Sequence, residues 1–194
     1  MSATANTHEK AVHEIFALYE KHGDEDYIGE PVSQIEHMSQ AAAFAHQEGH
    51  DDEVVLAAFF HDIGHLCAEH EVSSMDGMGN ADHEKLGADY LLERRFSERI
   101  ARLVNSHVTA KRYLTFKFPE YYQKLSPASK VTLSFQGGMM TEQEAREFEE
   151  QADAKLMIQL RYWDDRAKEI NVPVDNLLHL KKLALNHLNT HHPL

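Results

Sequence analysis

The chain has little of what marks secreted and membrane proteins. Its single cysteine, Cys67, cannot form an internal disulfide, so a reducing compartment, the cytoplasm, is expected. The longest apolar run, VVLAAFF at residues 54–60, is far shorter than the ~18 residues of a membrane helix. The first ten residues, MSATANTHEK, lack the apolar middle of a secretory signal. These features predict a protein without a membrane partner.

Basic residues, glycine and proline are also scarce. There are 19 Lys and Arg against 32 Asp and Glu, which gives a formal net charge of -13. Such a surface repels nucleic acid. For the same reason, any anionic ligand would need a local basic patch or a metal ion. With 42% hydrophobic residues, 9 Gly and 5 Pro, the chain can build a core. Its 194 residues predict a single domain over residues 1–194.

Apolar residues recur at helical spacing along nearly the whole chain. Helices are predicted from Asn6 or Thr7 to Gly23, from Pro31 to Gly49, over 53–63, 81–94, 97–113, 127–136, 142 to about 170 with a break near 153, and 175–188. Residues 66–80 read as a loop. Only VTLSF at 131–135 alternates like a strand, and it stands alone between helix signals. The fold class predicted is all-α.

Histidine, by contrast, is plentiful, with 15 residues. His61 and Asp62 close the most apolar helix, where an unpaired charge would be costly. Neighbouring helical positions diverge by about 100°, so both side chains can meet only on something compact, such as a metal ion. The alternative is that His61 bonds a backbone carbonyl and Asp62 caps the next turn.

Further donors recur at the spacing of one helix plus one turn. His37, His83 and His107 lie on successive predicted helices, and Asp164 follows on a later one. Successive helices of a bundle can deliver such ligands to one end. Two ions that share one carboxylate would use the whole set, which is too large for one ion with open positions. The six candidate ligands are His37, His61, Asp62, His83, His107 and Asp164.

The order of these motifs resembles the HD-domain superfamily, helical metal-dependent phosphohydrolases with a smaller branch of di-iron oxygenases. The chain is most similar to the dioxygenases that split hydroxylated aminoethylphosphonates. The matching stretches are DYIGE (26–30), QIEH (34–37), LAAFFHDIGH (56–65), DHEKLGADYL (82–91), SERIARLVNSHVTAKRYL (97–114), FQGGMM (135–140) and RYWD (161–164).

The resemblance implies a mixed-valent pair of iron ions, Fe(II) and Fe(III), although the same donors also suit manganese, zinc or nickel. His37, His61 and Asp164 would hold one ion and His83 and His107 the other, with Asp62 bridging.

The resemblance also implies a cap and a phosphonate site. Tyr27 would occupy a metal position and Glu30 would hold it there until substrate arrives; the alternative is an ordinary polar loop. The phosphonate would be received by His65, Lys111, Ser129 and Arg161. Two cations with hydroxyl and imidazole donors suit an anion pocket in an acidic protein. The alternative for each of Lys111, Ser129 and Arg161 is an exposed surface group or a helix cap.

The implied reaction is oxidative cleavage of a carbon–phosphorus bond with O2. The first candidate substrate is (1-hydroxy-2-(trimethylammonio)ethyl)phosphonate, which gives glycine betaine, because the loop VSSMDGMGN (72–80) would fit a bulky cation. The second is 2-amino-1-hydroxyethylphosphonate, which gives glycine. Two other classes stay open: an HD-type phosphohydrolase, which needs no oxygen, and a non-catalytic metal-binding or ligand-binding domain.

Overall fold

A computed structural model describes residues 3–27, 29–67 and 82–191. The fold over these residues is all-α, as predicted, and their only extended pairing is an isolated bridge between Asp26 and Ser33. The helices are α1 (Ala3–His22), α2 (Gln34–Gln47), α3 (Asp52–Phe60), α4 (Ile63–Cys67), α5 (His83–Glu93), α6 (Glu98–Val104), α7 (His107–Lys117), α8 (Pro119–Lys124), α9 (Pro127–Phe135), α10 (Glu142–Glu149), α11 (Ala154–Arg166) and α12 (Leu177–His191).

Helix α3 lies in the middle of the bundle. Its residues 54–60 are all buried, because the sequence is apolar on every side and neighbours surround it. It packs against α2, α6, α11 and α12. The turn that follows α3 is therefore buried too, and it carries His61 and Asp62. In the described part of the chain, no helix is long and apolar enough to cross a membrane.

Side-chain caps decide where several helices begin. Asp51 caps α3 by accepting a hydrogen bond from the Val54 amide at 3.1 Å. The predicted start of α2 at Pro31 is wrong by three residues. Ser33 is the N-cap, and the Ser33 amide donates to the Glu36 carboxylate at 2.7 Å, which completes a capping box.

The predicted helix over 97–113 is two helices with a break at residues 105–106. The Ser106 hydroxyl donates to the Leu103 carbonyl at 2.6 Å, a local bond that competes with helix continuation. His107 therefore opens α7 instead of lying near the end of a longer helix. Residues 131–135 are helical because Ser126 and Pro127 start α9 ahead of them. Helix α8 was not predicted, and most of the 66–80 loop lies outside the described residues.

Helices α4 and α5 cross at two glycines, which sets the position of His83. A Cβ atom on Gly64 would lie 1.9 Å from the His83 carbonyl oxygen, which is backbone and cannot rotate away. At the same crossing, a Cβ atom on Gly87 would meet the Ile63 methyl group at 3.0 Å and the Gly64 amide nitrogen at 3.1 Å. The close approach of the helices therefore depends mainly on Gly64.

We expect Gly64→Ala to push α5 away from α4 and to move His83 out of place. The free energy of unfolding should fall by about 3 kcal/mol, as for other overpacked cores. The protein should also lose tight binding of one metal ion, since His83 is one of the two histidines that face Asp62 Oδ1 in the predicted centre. Thermal unfolding and metal analysis measure both effects. Gly87→Ala is the milder control, and a Gly64→Ala protein with unchanged stability and metal content would contradict this account.

Candidate metal centre

The structure brings all six predicted metal ligands together at one end of the bundle. His37 comes from α2, His61 and Asp62 from the turn between α3 and α4, His83 and His107 from the first residues of α5 and α7, and Asp164 from α11. None of the six is more than 4% exposed. Five separate segments thus converge on a buried point.

The two oxygen atoms of Asp62 face two different pairs of histidines. Oδ1 lies 3.2 Å from Nε2 of both His83 and His107. Oδ2 lies 3.3 Å from Nε2 of His61 and 3.5 Å from Nε2 of His37. Asp164 joins the second pair, with its Oδ1 3.5 Å from His37 Nε2. Asp62 therefore stands between two donor groups, as a bridging carboxylate would.

Backbone carbonyls orient three of the imidazoles. Each Nδ1 atom lies 2.8–2.9 Å from a carbonyl oxygen, so it carries the proton and leaves the Nε2 lone pair directed inward. The three pairs are His37 with Ala167, His61 with Ala58, and His107 with Val104. Ligands of protein-bound metals are commonly fixed in this way.

This donor arrangement fits metal ions. The Nε2 atoms of His37 and His61 are 3.0 Å apart, and those of His83 and His107 are 2.8 Å apart. Two lone pairs facing each other at such distances repel unless a cation or a proton lies between them. Asp164 Oδ1 is also buried with no hydrogen-bond donor among the described residues. Imidazole and carboxylate together suit divalent and trivalent ions of the first transition row.

Arg161 keeps Asp164 ionised and oriented. Burial raises the pKa of Asp164, but the Arg161 guanidinium and the nearby imidazoles outweigh it and hold that pKa well below its usual range. The guanidinium donates to Asp164 Oδ2 at 2.6 Å, to the Tyr121 hydroxyl at 2.9 Å and to Asp165. Three of its five N–H groups are used, which leaves two for a ligand.

A cleft opens beside the donor cluster, with a free volume of about 60 Å³. The cleft is lined by every residue that the sequence assigned to the cap and the phosphonate site, namely Tyr27, Glu30, His65, Lys111, Ser129 and Arg161.

The wall formed by α4, α7, α9 and α11 is suited to an anion. Lys111 is 3% exposed, and its ammonium donates to the Thr132 hydroxyl at 3.0 Å. Burial, reinforced by Arg161, lowers the pKa of Lys111 to about 7. His65 stacks on His83 with ring centroids 4.0 Å apart, and burial together with His83 lowers the pKa of His65 to about 3. His65 is therefore a neutral donor at physiological pH.

The predicted cap residues line the same cleft. The Tyr27 ring stacks on His37 with centroids 4.0 Å apart. Burial and the Asp62 carboxylate raise the pKa of the Tyr27 hydroxyl, which keeps its proton. The Glu30 carboxylate does not bind Tyr27; it pairs with the ammonium of Lys168 at 2.7 Å. The sequence did not indicate Lys168. This residue directly follows Ala167, whose carbonyl orients His37.

A second group of possible metal donors is made by Glu53, His187 and His191. The Ser97 amide donates to His187 Nε2 at 3.2 Å, and Glu53 is already bound by Arg99 at 2.8 Å. These contacts explain the group without an ion. The sequence placed His187 on the surface, which is wrong because it packs on Phe96 and is 6% exposed. His8, also assigned to the surface, is 1% exposed.

The family model for the HD domain matches residues 34–156. The chain belongs to the HD-domain family. The matched segment holds five of the six donors and ends before Asp164, which reaches the same centre from α11.

The chain is also similar, over most of its length, to three known proteins. The chain is 40% identical over 179 residues to an uncharacterized protein of Acanthamoeba polyphaga mimivirus (92% of this chain, 82% of the relative). It is 38% identical over 177 residues to the [1-hydroxy-2-(trimethylamino)ethyl]phosphonate dioxygenase (glycine-betaine-forming) of Leisingera caerulea (91% and 90%). It is 37% identical over 164 residues to the hydroxymethylphosphonate dioxygenase of Gimesia maris (84% and 81%). These relatives confirm the dioxygenase branch of the HD-domain family that the motifs indicated.

Proposed function

We propose that this protein uses O2 to cleave the carbon–phosphorus bond of a 1-hydroxy-2-aminoethylphosphonate. The observation that carries the proposal is Asp62, whose two oxygens face two histidine pairs at the side of a cleft with buried cations. The names of the two dioxygenase relatives support the same reaction class.

The cations of the cleft would bind and orient the phosphonate. Lys111 and the two remaining N–H groups of Arg161 provide positive charge in a buried site, where charge-assisted hydrogen bonds are strong. Neutral His65 and the Ser129 hydroxyl add donors without more charge. Asp62, His83, His107 and Asp164 line the same cleft, so a substrate held there would lie beside the donor centre.

The six donors would hold two iron ions, Fe(II) and Fe(III). When bound, the ions supply Lewis acidity and the redox chemistry that O2 requires. Asp62 ties the two halves of the site together, and the buried helix ends around it exclude water. Tyr27, stacked over His37, covers one side of the centre, so we expect the substrate to displace its hydroxyl.

The overall reaction needs no external reductant. A 1-hydroxyphosphonate and O2 give a carboxylate, phosphate and one proton. The C–H and C–P bonds of the carbinol carbon break, and the substrate supplies all four electrons that O2 accepts. One O2 should therefore be consumed for each phosphate released.

The nitrogen end of the substrate has two candidate forms. The trimethylammonium compound, which would give glycine betaine, is the first candidate, because the Leisingera caerulea relative is named for it. The loop at 72–80, from which the sequence favoured this form, lies outside the described residues. The primary amine is the second candidate, favoured by an unbonded glutamine in the cleft, Gln34.

Anaerobic and aerobic assays of phosphate release test the proposal. With O2 we expect phosphate from a 1-hydroxy-2-aminoethylphosphonate at one O2 per phosphate, and no phosphate without O2. Release of phosphate from a phosphate ester at equal rates under both conditions would identify a phosphohydrolase. Binding of phosphonates without turnover in the iron-loaded protein would indicate a non-catalytic domain.

A further inference from the structure

We propose that the side-chain amide of Gln34 is the hydrogen-bond acceptor for the ammonium group of the primary-amine substrate, 2-amino-1-hydroxyethylphosphonate. Gln34 is the first residue of α2 and lies one turn before His37, on the same face of the helix. It lines the cleft beside the metal centre and is 7% exposed. The inference rests on the proposed function, because it assigns the nitrogen end of that substrate.

The Gln34 amide is buried without a partner. Among the residues that the structure describes, none bonds to either end of it, and its Oε1 atom is fully buried. Buried polar groups in folded proteins are nearly always paired, so an unpaired one in a cleft calls for a ligand. Since neither end is fixed by the protein, the amide can turn its oxygen towards a donor.

Gln40, six residues further along α2, shows what a structural glutamine does in this helix. Its amide nitrogen donates to the Glu169 carbonyl at 2.9 Å, and its oxygen accepts from the Glu169 amide at 3.0 Å. Both ends are used to hold the segment after α11 against α2. Gln34 makes no such bond, although it belongs to the same helix.

Gln34 differs from the cations of the cleft in what it offers a ligand. Lys111 and Arg161 line the cleft as cations, whereas Gln34 offers it an uncharged side-chain oxygen. The Glu30 carboxylate is already neutralised by Lys168 at 2.7 Å. The Gln34 oxygen is therefore an unengaged acceptor of the cleft. The Gln136 oxygen is unpaired too, but Gln136 directly follows α9, the helix that carries Ser129 of the anion-binding wall. A primary ammonium has N–H groups for it; a trimethylammonium has none.

Substrate comparison with Gln34→Leu tests this role. We expect kcat/KM for 2-amino-1-hydroxyethylphosphonate to fall by about 10- to 100-fold, mainly through KM, as for loss of a hydrogen bond to a charged group. Hydroxymethylphosphonate, which lacks the nitrogen arm, and the trimethylammonium compound should each change by less than about threefold. Tm should not fall, because Leu removes a buried amide that has no partner.

Gln40→Leu is the matched control, and we expect it to lower Tm without altering the ratio between substrates. The inference is overturned if Gln34→Leu lowers kcat/KM equally for all three compounds, or as much for the trimethylammonium compound as for the primary amine. It is also overturned if kcat/KM for the primary amine does not fall selectively. Calorimetry can test the role of Gln34 separately from the proposed function. It measures the Kd of the primary amine and of hydroxymethylphosphonate for wild type and for Gln34→Leu. If wild type binds but cleaves neither, the function fails, and the ratio of the two Kd values still decides the role of Gln34. If wild type binds neither, both proposals fail.

Discussion

Replacing Asp62 by asparagine is expected to abolish tight binding of two metal ions and to lower phosphate release by at least about 10³-fold. Each oxygen of Asp62 faces its own pair of histidine nitrogens at 3.2–3.5 Å. Burial opposes the charge, but the imidazoles of His61, His107 and His37 hold the pKa of Asp62 well below its usual range. Asparagine keeps the volume and loses the charge, and its amide nitrogen cannot bind a cation.

Metal content per chain and phosphate release measure this effect, and circular dichroism checks that the helices remain. Asp52→Asn is the matched control, because Asp52 begins the preceding helix and is exposed. It should retain both ions and full activity. An Asp62→Asn protein that holds two ions per chain and turns over at the wild-type rate would disprove the bridging role.

Replacing Lys111 by methionine is expected to raise KM for the phosphonate by about 10- to 100-fold with a smaller effect on kcat. Among the described residues, the buried ammonium has one hydrogen bond, to Thr132, and Lys111 lines the cleft. Loss of a charge-assisted bond to the phosphonate is of this magnitude. Steady-state kinetics at pH 6.5 measure the change, and Lys111→Arg, which keeps the charge, should recover part of the affinity.

The pH dependence follows from the same group. Burial lowers the pKa of Lys111 to about 7, so in free wild-type protein the positive charge is lost as pH rises through 7. Affinity for the phosphonate should fall over that range in wild type. It should fall less in Lys111→Arg, which stays charged, and Lys111→Met should lack this contribution. If phosphonate affinity depends on pH in the same way in wild type and in Lys111→Met, Lys111 is not the group that binds the phosphonate.

Stability should change in the opposite direction to affinity. Between pH 7 and 10.5 the unfolded chain carries a proton on Lys111 that the folded chain has lost, so this group makes stability rise with pH. Below pH 7 both states carry the proton, and the full cost of burying the charge remains. Lys111→Met removes that cost, so its Tm at pH 6 should exceed that of metal-free wild type by about 3 °C or more. A lower Tm would show that Lys111 supports the fold.

The donor set could be predicted from sequence because its signal is chemical and regularly spaced. His37, His61, His83 and His107 recur at nearly equal intervals. The apolar helix over 54–60 is followed by two ionisable groups, which indicates a buried partner such as a metal ion. Asp164 carried the weakest signal of the six, because a carboxylate in an acidic helix, taken alone, looks like a surface charge. The sequence therefore indicated the centre, and the structure supplies the pairing of the two oxygens of Asp62.

Other features depend on contacts that spacing does not encode. The break before His107 comes from a single hydroxyl-to-carbonyl bond of Ser106. Lys168 meets Glu30 across 138 residues of sequence, so no local pattern announces it. Gln34 stands three residues before His37 and could have been found by asking what else that helix face carries. Its lack of a partner is visible only when the whole cleft is assembled.

An electron paramagnetic resonance spectrum of the iron-loaded protein, with iron quantified in the same sample, tests the central claim most directly. Two irons per chain and a coupled half-integer Fe(II)/Fe(III) signal that changes when a 1-hydroxyphosphonate is added are the predicted result. One iron per chain, or two that show no magnetic coupling in any oxidation state, would contradict a centre in which Asp62 joins the two donor groups.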